Sequence, residues 1–284
     1  MRILISIFAI FIILCHYTSE ASEIKLPGQD IGFQPHKALY EVQLQSAKSG
    51  SQIVNIKGNM YYEWDYGCRA WSSKHRFNIL YDYADSPAIR ISSDFSNREN
   101  YEGNTLNFNV VRRQDGKQYE EIRGHASTPP NSKGEAIYNQ PAGLVQELPE
   151  GTMFPLAHTI DVIKAAIDGQ KFHNAVIYDG SDDEGPVEIN TFIGKAVETP
   201  SILKEAQNSK ALNESLLSGE ARRVQLAFFP LKSTQDQSDY EMNVILHDNS
   251  VISEMIIDYH DFTVSQRLIA IEPIDVSESI KACQ

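Results

Sequence analysis

Three groups of side chains in this sequence have the chemistry that acid–base catalysis or metal binding requires. His158 stands in the stretch FPLAHT, and His260 is followed directly by Asp261 in DYHDF. A histidine beside a carboxylate can transfer protons near neutral pH, so either histidine could serve a hydrolase. The third group is an acidic run, YDGSDDEG, whose carboxylates come from Asp179, Asp182, Asp183 and Glu184.

Each group also has a structural interpretation, which we favour. Carboxylates at close spacing can bind calcium, but this run lacks the ligand order and the closing glutamate of an EF-hand, so we expect a solvated turn. His158 lies near a predicted helix start, where its imidazole or the Thr159 hydroxyl can satisfy free backbone N–H groups, so we expect a capping or packing role for it. We expect His260 and Asp261 in a turn between strands. Because the sequence contains no GxSxG, HExxH, Walker or dinucleotide-binding motif, we predict no catalytic site, cofactor or metal.

The N-terminus, MRILISIFAIFIILCHYTSEAS, has the order of a secretory signal peptide: one basic residue, an apolar run, then small residues at Ser19 and Ala21. The apolar run is about a dozen residues long, short of the roughly 20 that span a bilayer. We expect residues 1–21 to be removed and residues 22–284 to form a periplasmic protein without a transmembrane segment.

The cysteines are interpreted in that oxidising compartment. We expect Cys15 to leave with the signal peptide, and a lipid anchor on it is disfavoured because Leu14 stands where a lipoprotein signal requires a small residue. Cys68 and Cys283 then remain. Exported thiols pair where geometry allows, so a disulfide between them is the favoured prediction, with two separate buried thiols as the alternative. A metal site is disfavoured because neither cysteine has a second Cys or His at ligand spacing. A disulfide would require both ends of the mature chain to meet.

The stretch YYEWDYGCRAW contains both tryptophans of the chain. On strand spacing, Trp64, Tyr66 and Cys68 share one face. Trp71 then falls on the other face unless the strand bulges near Gly67. Aromatic rings are favoured where sugars, lipids or peptides bind, but they also pack in cores. We expect these rings to pack beside the disulfide, with a binding platform as the alternative.

Charge and composition exclude several classes of function. The chain carries 38 acidic and 25 basic residues, a net charge of −13. This surplus argues against binding nucleic acid or an anionic membrane through bulk electrostatics. The 42% hydrophobic content is enough for a large core, and we expect a single domain over residues 22–284.

Short segments of alternating apolar and polar residues dominate both ends of the chain, which is typical of half-buried antiparallel strands. Examples are ALYEVQLQSA from Ala38, RFNILYDY from Arg76 and YEMNVILH from Tyr240. Turn residues at Gln114–Lys117 and His247–Ser250 indicate hairpins.

Two segments interrupt the strand pattern. PLAHTIDVIKAAIDGQ carries apolar residues three or four positions apart, and it predicts a helix over Thr159–Asp168 that ends at Gly169. Residues 201–218 are helix-prone but weakly amphipathic, so we expect a partly helical insertion on the surface.

Several motifs, in order, resemble the EipB-type periplasmic envelope-integrity proteins of alphaproteobacteria, long described as a domain of unknown function. They are HKALYEVQL, GNMYYEWDYGCRAW, LPEGTMFPLAHT with VIYDGSDDEG, and YEMNVILHDNSVISEMIIDYHDFTVSQRLIAIEP. The similarity runs from about His36 to Pro273. The chain departs from the family pattern at two turns: HDNS stands where the family favours Asn-Gly, and YHDF where it favours Tyr-Gly-Asp-Phe.

The resemblance implies an all-β fold, a spiral-like or open-barrel antiparallel sheet of about fourteen strands with one or two short α-helices, one of them inside it. It also implies a disulfide between Cys68 and Cys283, in agreement with the argument from the compartment. Members of the family are not known as enzymes, and they support the integrity of the cell envelope.

We therefore expect a non-catalytic periplasmic protein that maintains the envelope through contacts with an envelope protein or lipid. A curved sheet can also enclose an apolar ligand, so a carrier of lipid or lipoprotein is the alternative. An envelope hydrolase that uses His158 with a nearby carboxylate is a third hypothesis.

Overall fold

The computed structural model describes residues 31–67, 69–197, 201–231 and 237–275. The predicted signal peptide with its cleavage site after Ala21 lies outside these residues, and so do Cys15, Cys68 and Cys283. The pairing of the cysteines therefore stays a prediction.

Fourteen antiparallel strands form one continuous sheet, which confirms the all-β prediction. The strands are β1 His36–Ala47, β2 Ile53–Tyr66, β3 Ala70–Tyr83, β4 Ile89–Asn100, β5 Thr105–Gln114, β6 Lys117–Ser127, β7 Gly134–Gln140, β8 Val145–Leu148, β9 Phe172–Ile177, β10 Val187–Ala196, β11 Ala221–Pro230, β12 Tyr240–His247, β13 Ile252–Asp258 and β14 Phe262–Pro273. Their order is β8-β7-β6-β5-β4-β3-β2-β1-β14-β13-β12-β11-β10-β9. The first and last described strands thus pair with each other at the centre of the sheet.

The strands form where apolar and polar residues alternate, because successive side chains of a strand point to opposite faces. In β1, Ala38, Tyr40 and Val42 are buried, whereas Glu41 and Gln43 are exposed. One face of the sheet therefore supplies the core and the other faces solvent.

The two edge strands of the sheet, β8 and β9, are bridged by the segment that directly follows β8. Met153 donates its backbone N–H to the Val176 carbonyl at 2.8 Å, and its carbonyl accepts the N–H of Tyr178 at 3.0 Å. The Tyr178 hydroxyl donates to the Tyr138 hydroxyl of β7 at 2.7 Å. The sheet is therefore curled into an open barrel, as the resemblance implies.

Helix α1, Pro155–Ile167, lies inside the curled sheet. Leu156 and Ile160 pack against aromatic residues of β2 and β3, and Ala166 packs in the core formed with β1 and β10 to β14. The helix starts four residues before the predicted Thr159, because a proline fits the first helical turn without losing a hydrogen bond. Within the described residues, no helix is long and apolar enough to cross a membrane.

The segment of residues 201–217 contains helix α2, Ser201–Ala206, and a 3₁₀ turn at Glu214–Leu216. Its helical content agrees with the prediction, but its predicted surface location is wrong. Its buried side chains join the core that contains α1: Ile202, Ala206, Leu212, Leu216 and Leu217. Ile202 and Ala206 belong to α2, whereas Leu212, Leu216 and Leu217 lie in and around the 3₁₀ turn. The five therefore do not follow one helical period, and the sequence pattern is weakly amphipathic.

Both hairpin predictions are confirmed. Asp115 and Gly116 join β5 to β6 with φ of 49° and 81°, the left-handed pair that tight hairpins favour. At the turn between β12 and β13, the N–H of His247 donates to the Val251 carbonyl at 2.8 Å, and Ser250 has a φ of 75°.

Candidate functional site

The aromatic residues considered for a binding platform lie in the core. Trp64, Tyr66 and Trp71 are 7%, 6% and 2% exposed. The Phe33 ring packs edge-on against both tryptophans, with centroids 4.9 Å from Trp64 and 5.0 Å from Trp71. Leu156 of α1 belongs to the same cluster. The three rings therefore contribute buried apolar area rather than an exposed face.

Trp71 shares a face with Tyr66, so the prediction from strand spacing is wrong. β2 ends at Tyr66, and the N–H of Gly67 donates to the Ala70 carbonyl at 2.9 Å. The chain turns back into β3, which makes Tyr66 and Trp71 cross-strand partners. Cross-strand partners point to the same side of a sheet. The orientation of Trp71 is therefore set by the hairpin between β2 and β3, and not by a bulge within one strand. The predicted position of Cys68 lies outside the described residues.

A buried carboxylate that the sequence analysis missed lies at the start of α1. Glu99 of β4 is 2% exposed, and its two oxygens accept the N–H groups of Leu156 at 2.8 Å and Ala157 at 3.0 Å. Burial raises the pKa of Glu99 to about 7, although both N–H donors act in the opposite direction. The available signal was its position: Phe95, Asn97 and Glu99 alternate along β4, and Phe95 faces the core.

His158 and Thr159 do not cap the helix, but His158 packs in the interior, so of the predicted capping or packing role the structure shows packing. The His158 ring stacks on His173 with centroids 5.6 Å apart, and the Thr159 hydroxyl donates to the Pro155 carbonyl at 2.8 Å. The free N–H groups of the first turn are instead bonded to the carboxylate from β4. Burial lowers the pKa of His158 to about 4, and the neighbouring His173 adds to this effect, so the imidazole is neutral at pH 7.

The acidic run forms a loop after β9, in which Asp side chains accept backbone N–H groups of the same loop. Asp179 accepts the N–H of Ser181 at 2.8 Å, and Asp182 accepts that of Glu184 at 2.9 Å, as in Asx turns. Its carbonyls accept hydrogen bonds from side chains of β5, β7 and β8: Arg112, Tyr138 and Gln146. Among the described residues, no three His, Cys, Asp or Glu side chains are grouped to hold a metal ion. The loop thus ties β9 to the opposite edge of the sheet.

His260 and Asp261 lie in the turn between β13 and β14, where the sequence analysis placed them. His260 has a φ of 68°, in the left-handed region that favours glycine. Its Nε2 lies 2.6 Å from the Ser238 carbonyl and its Nδ1 lies 3.3 Å from Gln237 Nε2. The backbone N–H of Asp261 donates to the Tyr259 carbonyl at 2.8 Å. The imidazole of His260 therefore packs against residues 237–238, which precede β12, and not against the carboxylate of Asp261.

A different surface combines exposed rings, amides and cations. On β10, Phe192 alternates with the buried Thr191 and Ile193, so it points outward. It packs against Phe172 of the edge strand β9 with centroids 5.4 Å apart, and the two rings are 44% and 70% exposed. Beside them lies a groove of about 330 Å³, here called the β10 groove. Its lining includes Phe192, Gly194, Lys195, Arg223, Gln225 and Asn243.

A β-bulge shapes the β10 groove. The pairing of β10 with β11 slips between Ile193 and Ala196. Gly194 and Lys195 therefore lie opposite the single residue Arg223, and a bulge of this kind re-aims the side chain that it carries. A Cβ at Gly194 would lie 2.7 Å from the Arg223 carbonyl oxygen, so the bulge requires glycine. Neither Lys195 nor Arg223 forms an ion pair within the described part of the chain.

Comparison with known proteins identifies the family. The model of the EipB-like family matches residues 27–275. This chain belongs to the EipB-like family. The cell envelope integrity protein EipB of Brucella abortus is 26% identical over 252 residues, which cover 88% of this chain and 87% of that relative. A crystal structure of a β-barrel-like protein of unknown function from Brucella abortus matches with a TM-score of 0.79 at 26% identity, covering 86% of this chain and 99% of that chain.

Membership of the EipB-like family agrees with the resemblance that the sequence motifs carry. The solved β-barrel-like structure also agrees with the curled sheet described above. The comparisons therefore establish the family and the fold.

Proposed function

We propose that this EipB-like protein is a non-catalytic periplasmic protein that supports the integrity of the cell envelope through contacts with an envelope protein or lipid. The observation that carries the proposal is the similarity to the cell envelope integrity protein of Brucella abortus over 88% of this chain. The family match spans all fourteen strands, so it covers the whole sheet and not one shared motif.

The environment of the two candidate histidines supports contact rather than catalysis. Acid–base catalysis needs a base within hydrogen-bond reach of a nucleophile in an accessible cleft. His158 is buried inside the sheet, and its Nε2 has no hydrogen-bond partner among the described residues. His260 packs in a turn against Ser238. Neither histidine is therefore arranged as a general base.

The interior of the sheet also bears on the carrier hypothesis. Helix α1 and residues 201–217 pack against the inner face and share one apolar core with β1 and β10 to β14. An apolar ligand inside the sheet would have to displace them. Native mass spectrometry of protein purified from the periplasm tests this point, since reproducibly bound lipid would favour the carrier.

Strand pairing supports the proposed disulfide between Cys68 and Cys283. His36 of β1 pairs with Trp64 of β2 on one side and with Pro273 of β14 on the other. Neighbouring strands lie about 5 Å apart, so Trp64 and Pro273 are about 10 Å apart. Cys68 follows Trp64 by four residues and Cys283 follows Pro273 by ten, and such lengths of chain can span this distance.

Deletion of the gene tests the proposed function. We expect the deletion strain to become sensitive to detergent and to large antibiotics that an intact envelope excludes. A plasmid with the full chain should restore resistance, and one that lacks residues 1–21 should not, because export fails. Unchanged sensitivity of the deletion strain would contradict the proposal.

A further inference from the structure

We propose that the β10 groove binds an extended acidic segment of a partner protein. In this arrangement a carboxylate of the segment lies between Lys195 and Arg223, and an adjacent apolar side chain packs on Phe172 and Phe192. The inference rests on the proposed function, since it names the chemistry of the envelope contact.

The charges of the groove point to an anionic occupant. The protein carries a net charge of −13, and several exposed cations of the sheet, such as Lys74 with Glu63, have carboxylate partners. Lys195 and Arg223 instead lie side by side on the groove without such a partner in the described chain. Two adjacent like charges repel each other, and an incoming carboxylate removes that repulsion. An Arg guanidinium can also bind a carboxylate through two parallel hydrogen bonds.

The exposed rings point to an occupant with an apolar part. Phe172 and Phe192 lie on the outer face at the edge of the sheet, where natural strands usually carry charged or polar residues. Their packed pair offers a continuous apolar surface that ends at the cations of the groove. A side chain next to the bound carboxylate would cover these rings and remove their area from water.

The amides on the floor of the groove suit a peptide backbone. Gln225 and Asn243 are cross-strand partners and both line the groove. Gln225 Nε2 already donates to Glu241 at 3.1 Å, which leaves the Gln225 oxygen as an acceptor. An extended peptide backbone supplies N–H donors for this acceptor and carbonyl acceptors for the amide N–H groups, close to the side chains that would reach the cations and the rings. An extended peptide can therefore bond to the amides on the floor, cover the two phenylalanine rings and pair with the two cations at the same time.

Selection from a phage-displayed library of random heptapeptides tests the proposal. The wild-type protein is the bait, and the double variant Lys195→Glu with Arg223→Glu is used for counter-selection. A second double variant, Lys57→Glu with Lys117→Glu, makes the same change of charge at exposed lysines of β2 and β6 and is the matched control. Unchanged circular dichroism spectra show that each variant is folded.

We expect the selected peptides to carry Asp or Glu next to an apolar residue. By fluorescence anisotropy, a synthetic peptide of the selected sequence should bind the wild type and the matched control equally and the groove variant at least tenfold more weakly. Phe192→Ser should also weaken binding. Absence of enrichment, enrichment of peptides without acidic residues, or equal binding by the groove variant would overturn the proposal.

Two further measurements separate the alternatives. The first is sedimentation of the protein with vesicles of phosphatidylethanolamine and phosphatidylglycerol. If the wild type sediments with the vesicles and the groove variant does not, the occupant is a lipid and the peptide proposal is overturned. In the deletion strain, full restoration of resistance by the groove variant would leave the proposed function in place and overturn the groove as its contact surface. Failure of that variant to restore resistance, together with peptide binding, is the expected result.

Discussion

Glu99 shows how a single buried charge can be tolerated in this molecule. A carboxylate that leaves water for an apolar interior is strongly destabilising unless hydrogen bonds compensate. Glu99 accepts two N–H groups of α1, and these N–H groups would otherwise be unsatisfied inside the sheet. The residue therefore links the stability of the helix start to its own protonation.

We expect Glu99→Gln to change how stability depends on pH. The pKa of Glu99 is raised from 4.5 to about 7, so the folded state binds more protons than the unfolded state between these values. The contribution of this group to the free energy of unfolding therefore falls by about 3 kcal/mol as the pH rises from 4 to 8. Glu99→Gln should lack this decrease, as measured by urea unfolding at each pH.

The exposed Glu135 of β7 offers the control for this series. Glu135→Gln should leave the pH profile of the wild type unchanged. Parallel profiles for the wild type and Glu99→Gln would contradict the expectation, because they would mean that the helix N–H groups outweigh burial and keep the pKa at its ordinary value.

Ser250 illustrates the opposite case, a residue that adds strain. Its φ of 75° is costly for any residue with a Cβ, and its buried hydroxyl has no partner among the described residues. Ser250→Gly should therefore raise the free energy of unfolding by about 1 kcal/mol, after the greater freedom of glycine in the unfolded chain is subtracted. Thermal unfolding checks this value. Ser250→Ala removes the hydroxyl but keeps the Cβ, so it should be less stabilising than glycine.

At the scale of elements, the interior of the sheet depends on helices that the strands surround. Helix α1 and residues 201–217 fill the inner face, and Leu217 is 0% exposed there. These elements bury little of their own surface without the sheet, so we infer that they order only when the sheet closes around them.

Truncation of Leu217 tests that packing. Leu217→Ala removes buried methyl groups and leaves a cavity, so we expect a loss of about 3 kcal/mol in the free energy of unfolding. Leu231, directly after β11, is 39% exposed, and Leu231→Ala should cost less than about 1 kcal/mol. Equal effects of the two substitutions in urea unfolding would show that residues 201–217 are not part of the core.

The elements also show what the sequence can and cannot predict. Strand alternation needs only neighbouring residues, and it predicted the sheet and its hairpins. The start of α1 could not be predicted in this way, because Glu99, which caps it, belongs to a distant strand. The buried position of residues 201–217 was missed because their apolar side chains contact several strands and follow no single period. The orientation of Trp71 depended on where β2 ends.

At the scale of the whole molecule, the sheet brings the two ends of the described chain together. β1 lies between β2 and β14, so the hairpin between β2 and β3 and the end of β14 lie at the same end of the sheet. The β10 groove is also a property of this scale. It depends on a register slip between β10 and β11 that appears only when the strands pair, so the sequence pattern does not predict it.

Replacement of one cysteine tests the covalent link between the ends. A disulfide between Cys68 and Cys283 would close a loop of more than two hundred residues and restrict the unfolded chain by about 5 kcal/mol. Cys68→Ser should therefore lower the melting temperature of the oxidised protein, and a reductant should abolish the difference. If both proteins melt at the same temperature without reductant, the disulfide does not stabilise the fold.

Complementation of the deletion strain by His158→Gln combined with His260→Gly tests whether the protein acts in the envelope without catalysis. This variant removes both candidate bases, and His260→Gly suits a turn with a φ of 68°. We predict that it restores detergent resistance to the wild-type level when an immunoblot shows equal amounts of the two proteins. A folded, equally abundant variant that leaves the strain as sensitive as the deletion would show that the role in the envelope depends on one of these imidazoles.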